Sequence, residues 1–286
     1  MDTPLIRQGW LRVIIFLITW LLIQAGIINM LYNLVLPSIQ NGNDTDPGLK
    51  LLLASFLSFL FTVPAVLLFR KLIDRKSFIS LGFHWKRNST HAITGFLSAL
   101  FIMSAGTLLL LLTGNIYFIA IDFYWQDFML YLLIMLLVAI AEELVIRGYI
   151  LNNLMESFPK WTSLIISATL FAAIHFLNPG FTWLSMLGIF VGGILIGLNY
   201  IYTKNLWFGI FFHFAWNFFQ GPILGYQVSG LETESLMAQN INGPIWLTGG
   251  PFGFESSVVA CFFILVVLGY LALYYKKNQH AFTAAG

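Results

Sequence analysis

The ten residues AEELVIRGYI, Ala141 to Ile150, end a run that is otherwise almost pure hydrocarbon, FMLYLLIMLLVAI from Phe128 to Ile140. Together they exceed the roughly 20 apolar residues that a helix needs to cross a bilayer. Glu142, Glu143 and Arg147 nevertheless sit inside this stretch. An ionisable side chain costs about 2.5 to 3.5 kcal/mol at a bilayer centre on insertion scales, and less near an interface, so charges at this depth point to a function. Residues four apart share a helical face, which lets Glu143 pair with Arg147 while Glu142 points about 100° away. One carboxylate is neutralised and one is left over. An unpaired glutamate in an apolar setting is a candidate general base.

The rest of the chain agrees with a membrane setting. Of 286 residues 59% are hydrophobic, 17% aromatic and only 9% charged, with a mean hydropathy of +0.84; a soluble domain carries about a quarter charged residues. Only helices or closed barrels satisfy their backbone groups in lipid, and apolar runs of helical length recur along the whole chain. The reading is an all-α polytopic membrane protein forming a single integral membrane domain over 1–286. Its motif-bearing core covers about 123–220. The net charge of +2 gives no basis for a nucleic-acid partner, and the single cysteine, Cys261, excludes an intramolecular disulfide.

About eight transmembrane helices are expected: Leu11 to Leu36, Leu49 to Phe69, His91 to Thr113, Phe123 to Ile150, Trp161 to Phe176, Phe181 to Tyr202, Leu206 to Gln220, and Ser256 to Tyr275. The fifth and seventh are short. The apolar stretch after Arg7 is too long for a signal-peptide core and is expected to remain as an anchor. With the N-terminus cytoplasmic, the positive-inside rule places Arg70, Lys71, Arg75, Lys76, Lys86, Arg87, Lys160, Lys204, Lys276 and Lys277 inside. Lys50 falls outside, beside Asp44 and Asp46, and the loop from Gly221 to Glu255, which has no Lys or Arg, also lands outside. Both termini are then cytoplasmic, and the expected location is a bacterial cell membrane.

Polar residues in spans four to seven form a constellation. If spans four and five make an antiparallel hairpin turning at Phe158 and Pro159, Glu142 and His175 stand at equal depth, both roughly 24 Å from its tip. In FFHFAWNFF, His213 and Asn217 are again four apart and project from one face of an aromatic helix. Any one of these residues alone reads as interhelical glue; four together read as a site. Span six, LGIFVGGILIGL, carries Gly188, Gly192, Gly193 and Gly197 in two overlapping small-xxx-small pairs. These permit close backbone approach and would draw spans five and seven around a compact centre.

The segments EELVIR, FAAIH and HFAWN resemble, in family order, the EExxxR, FxxxH and HxxxN signatures of the CPBP intramembrane proteases. That family includes type II CAAX prenyl endopeptidases, bacteriocin-processing or self-immunity proteins, and abortive-infection proteins. The resemblance implies an intramembrane endopeptidase in which Glu142, assisted by His175, activates the attacking water. His213 and Asn217 would hold the developing oxyanion, with Glu143 and Arg147 as supporting residues. It also leaves open a metalloprotease reading in which Glu142, His175 and His213 hold zinc with one position for water. The HExxH arrangement is absent, so the expectation is water activated by Glu and His, with no required cofactor and zinc as the alternative.

The expected partners are the lipid bilayer and a membrane-associated or prenylated peptide or protein; a cytoplasm-facing cavity would suit a prenylated C-terminal tail. The loop GPILGYQVSG through NGPIWLTGGPFG is expected to be an ordered surface loop, the alternative being a lid that dips over the cavity. Two rival classes remain. A non-catalytic immunity or scaffold protein of the same fold has no need of an unpaired glutamate. A transporter would more often show internal repeats, which are absent here.

Overall fold

The structure, a computed structural model, describes residues 3–40, 47–84 and 88–278. Asp44, Asp46, Lys86 and Arg87 lie outside the described residues. Eight principal helices follow the expected order. Helix α1 covers Gly9–Gln40 and α2 covers Pro47–Leu68, continued by a π-helical turn, Phe69–Ile73. Helix α3 spans Asn88–Leu112. Helix α4, Trp125–Glu143, runs on through π-helical Leu144–Leu151 into Asn152–Leu154. Then come α5 (Lys160–Ala173), α6 (Trp183–Thr203), α7 (Trp207–Phe218) and α8 (Val258–Lys277). Two strands, β1 (Ile116–Ile121) and β2 (Met237–Ile241), pair antiparallel with a bulge at Phe118/Ala120.

Six of these helical stretches are long and apolar enough to cross a membrane. The two that fall short are the fifth, with 14 residues, and the seventh, with 12. Helix α5 stops at Ala173, three residues before the expected end, because Pro179 and the left-handed Gly180 (φ 69°) follow and the chain turns through His175–Asn178. Helix α7 relaxes into a π-helical turn, Phe219–Ile223, that accommodates Pro222. Irregular backbone is tolerated at membrane depth only where protein covers it or it lines a cavity. The end of the 221–257 loop meets this condition: Phe252 and Phe254 are fully buried, and Glu255, Ser256 and Ser257 are buried with them.

Small residues set the helix spacing. A Cβ on Gly193 would sit 3.2 Å from the Ala168 methyl, and one on Gly197 would strike Leu164, so half of the glycine stripe presses α6 onto α5. The other half serves other ends. Gly188 lies under the Glu255 carbonyl, while Gly192 has nothing within 4 Å and faces open space. The stripe therefore packs one neighbour and hollows out the other side.

The basic turns meet at one end of the bundle. The Leu5 amide donates to the Ile73 carbonyl, Lys76 pairs with Glu156 at 2.6 Å, and Lys204 approaches Met155. Lys160 lies 4.0 Å over the Tyr202 ring, which stacks on Tyr275 beside Lys276 and Lys277. At the centre of this end Asp74, fully buried, takes Arg12 on one oxygen at 3.0 Å and Arg70 on the other at 2.9 Å. Tyr149 and Asn153 also donate to it. Removing one partner from such a cluster strands the other charges, at a cost of about 3–5 kcal/mol. Asp74→Ala is accordingly expected to lower the unfolding temperature in detergent far more than Lys76→Ala, whose ion pair is part-exposed; thermal melts of the two variants make the comparison.

Candidate functional site

Four helices contribute to one centre. Glu143 is fully buried near the end of the regular part of α4, and its Oε1 accepts from Arg147 Nη1 at 2.7 Å. The same oxygen accepts from His213 Nδ1 of α7 at 3.1 Å. Arg147 uses its other arm to reach the Gly193 carbonyl of α6 at 3.2 Å, and its guanidinium lies 4.4 Å over the Phe171 ring of α5. The carboxylate can come this close to α7 because position 209, one turn before His213, has no side chain. A Cβ there would stand 2.6 Å from Glu143 Oε2. The π-helical stretch begins at Leu144, immediately after this carboxylate, and its Ile146 carbonyl accepts a hydrogen bond from Ser167 of α5 at 3.3 Å. Such widened turns are rare and concentrate at functional sites.

Glu142 points elsewhere, as the helical rotation requires. Its side chain is 26% exposed, and Oε2 stands 3.8 Å from His213 Nε2. His213 therefore lies between the two carboxylates, with Glu143 holding Nδ1 and Glu142 facing Nε2. His175, in the turn beyond α5, has Nδ1 2.8 Å from the Phe171 carbonyl. A carbonyl only accepts, so Nδ1 carries a proton and the neutral ring keeps Nε2 as an acceptor. Phe171 also contacts both imidazoles edge-on, with ring centres 5.1 Å from His175 and 5.9 Å from His213.

The sequence-derived residues converge. Glu142, His175, His213 and Asn217 line one cavity of about 510 Å³, and His175, His213 and Asn217 also line an adjoining one of about 480 Å³. Glu143 and Arg147 lie behind them. Among the described residues no group of three His, Cys, Asp or Glu side chains is placed to hold a metal ion.

Residues 124–219 match the family model of the type II CAAX prenyl endopeptidase Rce1-like proteins. The match covers 96 of the 286 residues and supports membership of the CPBP family. Comparison with curated proteins and with solved structures gives no match. The matched core is similar at family level to CAAX-type intramembrane proteases, which are membrane peptidases. The helices that carry the family motifs are the ones that meet at the Glu143–Arg147 pair.

Several residues of this centre were not singled out from the sequence. Ser229 belongs to a tight turn, Val228–Leu231, closed by two backbone hydrogen bonds of 2.9 Å, with Ser229 and Gly230 both at positive φ. It lines both cavities, and Asn178 donates to its carbonyl at 3.0 Å. Glu255 lines the second cavity, accepts from the Ser229 amide at 2.6 Å and hydroxyl at 3.1 Å, and receives the Gln220 side-chain amide. The 221–257 loop is thus part of the cavity wall. Nothing in its sequence periodicity could have revealed this, because its partners are far away in the chain.

Burial pushes the Glu255 carboxyl up to about 7, against the hydrogen bonds from Ser229 and Gln220 that pull it down. The folded protein keeps this proton well above the ordinary value of 4.5 at which the unfolded chain releases it. Its contribution to stability is complete below that ordinary value and is lost as pH rises through about 7. Melting temperatures of the wild type are expected to fall across this window, and those of Glu255→Gln to fall less.

Proposed function

We propose that the protein is an intramembrane endopeptidase that hydrolyses a peptide bond of a membrane-associated peptide or protein with a water activated by Glu142. The observation that carries this reading is the division of labour between adjacent carboxylates. Glu143 is fully buried and its Oε1 is taken by Arg147 and His213, whereas Glu142 makes no hydrogen bond, keeps its side chain 26% exposed and lines a cavity shared with His175, His213 and Asn217.

The chemistry follows from the atoms available. The Glu142 carboxylate and His213 Nε2 stand 3.8 Å apart, and a water on Glu142 and an oxyanion on His213, each at ordinary hydrogen-bond lengths of about 2.8 Å, would be neighbours. Glu142 takes one proton from that water while its oxygen bonds to the substrate carbonyl carbon. His175 assists through the Nε2 acceptor that its bond to the Phe171 carbonyl leaves free. The carbonyl oxygen becomes an oxyanion. Asn217 supplies a side-chain amide donor to it, and His213, when protonated on Nε2 as well, supplies a second. Donors fixed in advance in a water-poor site commonly give a large part of a rate enhancement. Glu142 then passes its proton to the leaving nitrogen, the oxyanion collapses as the C–N bond breaks, and the second water proton, still on the new carboxyl group, moves to the amine, so that a carboxylate and an ammonium result. Glu143 and Arg147 act as positioning residues that fix the His213 ring. No metal is required by this scheme.

Removal of a general base typically costs about 10²–10⁴-fold in rate. In reconstituted vesicles with a panel of membrane-associated peptides, Glu142→Gln is expected to lose cleavage on that scale while melting like wild type, and cleavage by wild type is expected to survive exhaustive metal removal. Equal cleavage by the two proteins would falsify the role of Glu142 and favour a binding or scaffold function. Loss of activity with the metal, restored by zinc, would replace the metal-free scheme.

A further inference from the structure

Among the described residues, the Glu142 cavity is walled by buried residues on one side and by partly exposed ones on the other. Toward the basic end, twelve consecutive residues from Glu143 to Leu154 are buried. Tyr149, Asn152, Asn153 and their partners Asp74, Tyr200 and Ser80 are cross-linked beneath them. Toward the opposite end, the wall around Glu142 consists of Leu51 at the start of α2, Asn178, and the turn and following residues Ser229, Leu231 and Thr233. There the side chains emerge: Leu231 is 43% exposed, and Glu232 and Glu234 beside it are exposed.

The two ends carry opposite charge. Every described Lys or Arg other than Lys50 and the buried Arg147 lies at or next to the basic end. The loop 221–257 carries none, and β1 and β2 join it at the far end beside Asp122. The positive-inside bias places the basic end in the cytoplasm. The open mouth of the Glu142 cavity then faces away from it.

We infer that the enzyme takes its substrate from the non-cytoplasmic side of the membrane: an extracytoplasmic, membrane-proximal peptide segment that reaches Glu142 between the start of α2 and the 228–233 segment. This rests on the reading of Glu142 as the catalytic base. It reverses the expectation of a cytoplasm-facing cavity suited to a prenylated tail. Lipid anchoring in the outer leaflet fits the same mouth, because Leu51, Ile134, Met135 and Val138 form its apolar flank.

The test separates access from catalysis. In a Cys261→Ser background, Glu142→Cys and, as a second reporter from the same cavity, Asn217→Cys are expressed in a bacterial inner membrane and exposed to a small membrane-impermeant maleimide. Glu234→Cys and Lys277→Cys mark the two ends. Glu234→Cys and the cavity cysteines are expected to label in intact spheroplasts, and Lys277→Cys only after the membrane is opened. Cavity labelling that tracks Lys277→Cys overturns the proposal, as does a Glu234→Cys that labels only from the cytoplasm. In sealed vesicles carrying a quenched, acyl-anchored peptide on the outer leaflet, cleavage is expected only from molecules whose loop faces outward; cleavage confined to molecules with the basic end outward also overturns it. If wild type cleaves nothing from either side, the peptidase reading fails, and the labelling still decides which way the cavity opens.

Discussion

The site depends on where the negative charge of Glu143 is placed. One oxygen, fully removed from solvent, accepts from Arg147 at 2.7 Å and from His213 at 3.1 Å. Burying such a charge is tolerable only when partners satisfy it, so α4 and α7 must stay at this separation for the bundle to be stable at all. The guanidinium then extends the constraint. It bonds the Gly193 carbonyl of α6 and lies over the Phe171 ring of α5. Four helices are keyed to a single ion pair. The imidazole that this pair orients is the one that faces Glu142.

The glycines make the constraint affordable in space. Gly209 leaves room for the Glu143 carboxylate against α7, and Gly193 lets the α6 backbone approach α5 closely enough for its carbonyl to meet Arg147. Gly192, one position earlier, has no neighbour within reach and borders the cavity instead. Adjacent residues on α6 thus serve the packed side and the hollow side. The same economy appears on α4, where consecutive glutamates differ in role only because the helix rotates about 100° between them.

What was legible in the sequence was whatever depends on local helical geometry. Apolar run length located the helices, and the four-residue spacing of Glu143 with Arg147 and of His213 with Asn217 gave the faces they share. The hairpin relation brought Glu142 and His175 to one cavity. The depth reached by α5 and α7 was less legible, since Pro179–Gly180 and Gly221–Pro222 end those helices inside runs that remain apolar. The contribution of the loop 221–257 was not legible at all. Glu255 and Ser229 are 26 positions apart in an aperiodic segment, and Asn178 is 51 positions from Ser229. Gly209 reads as one more small residue in an aromatic helix until the carboxylate beside it is seen.

The proposed amide hydrolysis inside a bilayer needs water and a polar substrate at a place built from hydrocarbon, and the two short helices bear on that need. Fourteen residues in α5 give about 21 Å of rise, well under the roughly 30 Å of hydrocarbon to be crossed. Both short helices begin at the basic end and stop before the other. His175 sits just beyond the end of α5, and Asn217 in the last turn of α7. The depth they leave unspanned is occupied by the 174–182 turn and by the 228–231 turn, whose backbone groups are satisfied by Asn178, Glu255 and each other. Polar side chains and loop backbone therefore replace helix in the half of the core away from the basic end. The long helices α4, α6 and α8 continue past them to keep the bundle in the membrane. Shortening the helices that carry the histidines removes the need to bring water across a full leaflet of lipid, and it does so while leaving the ion pair behind them dry.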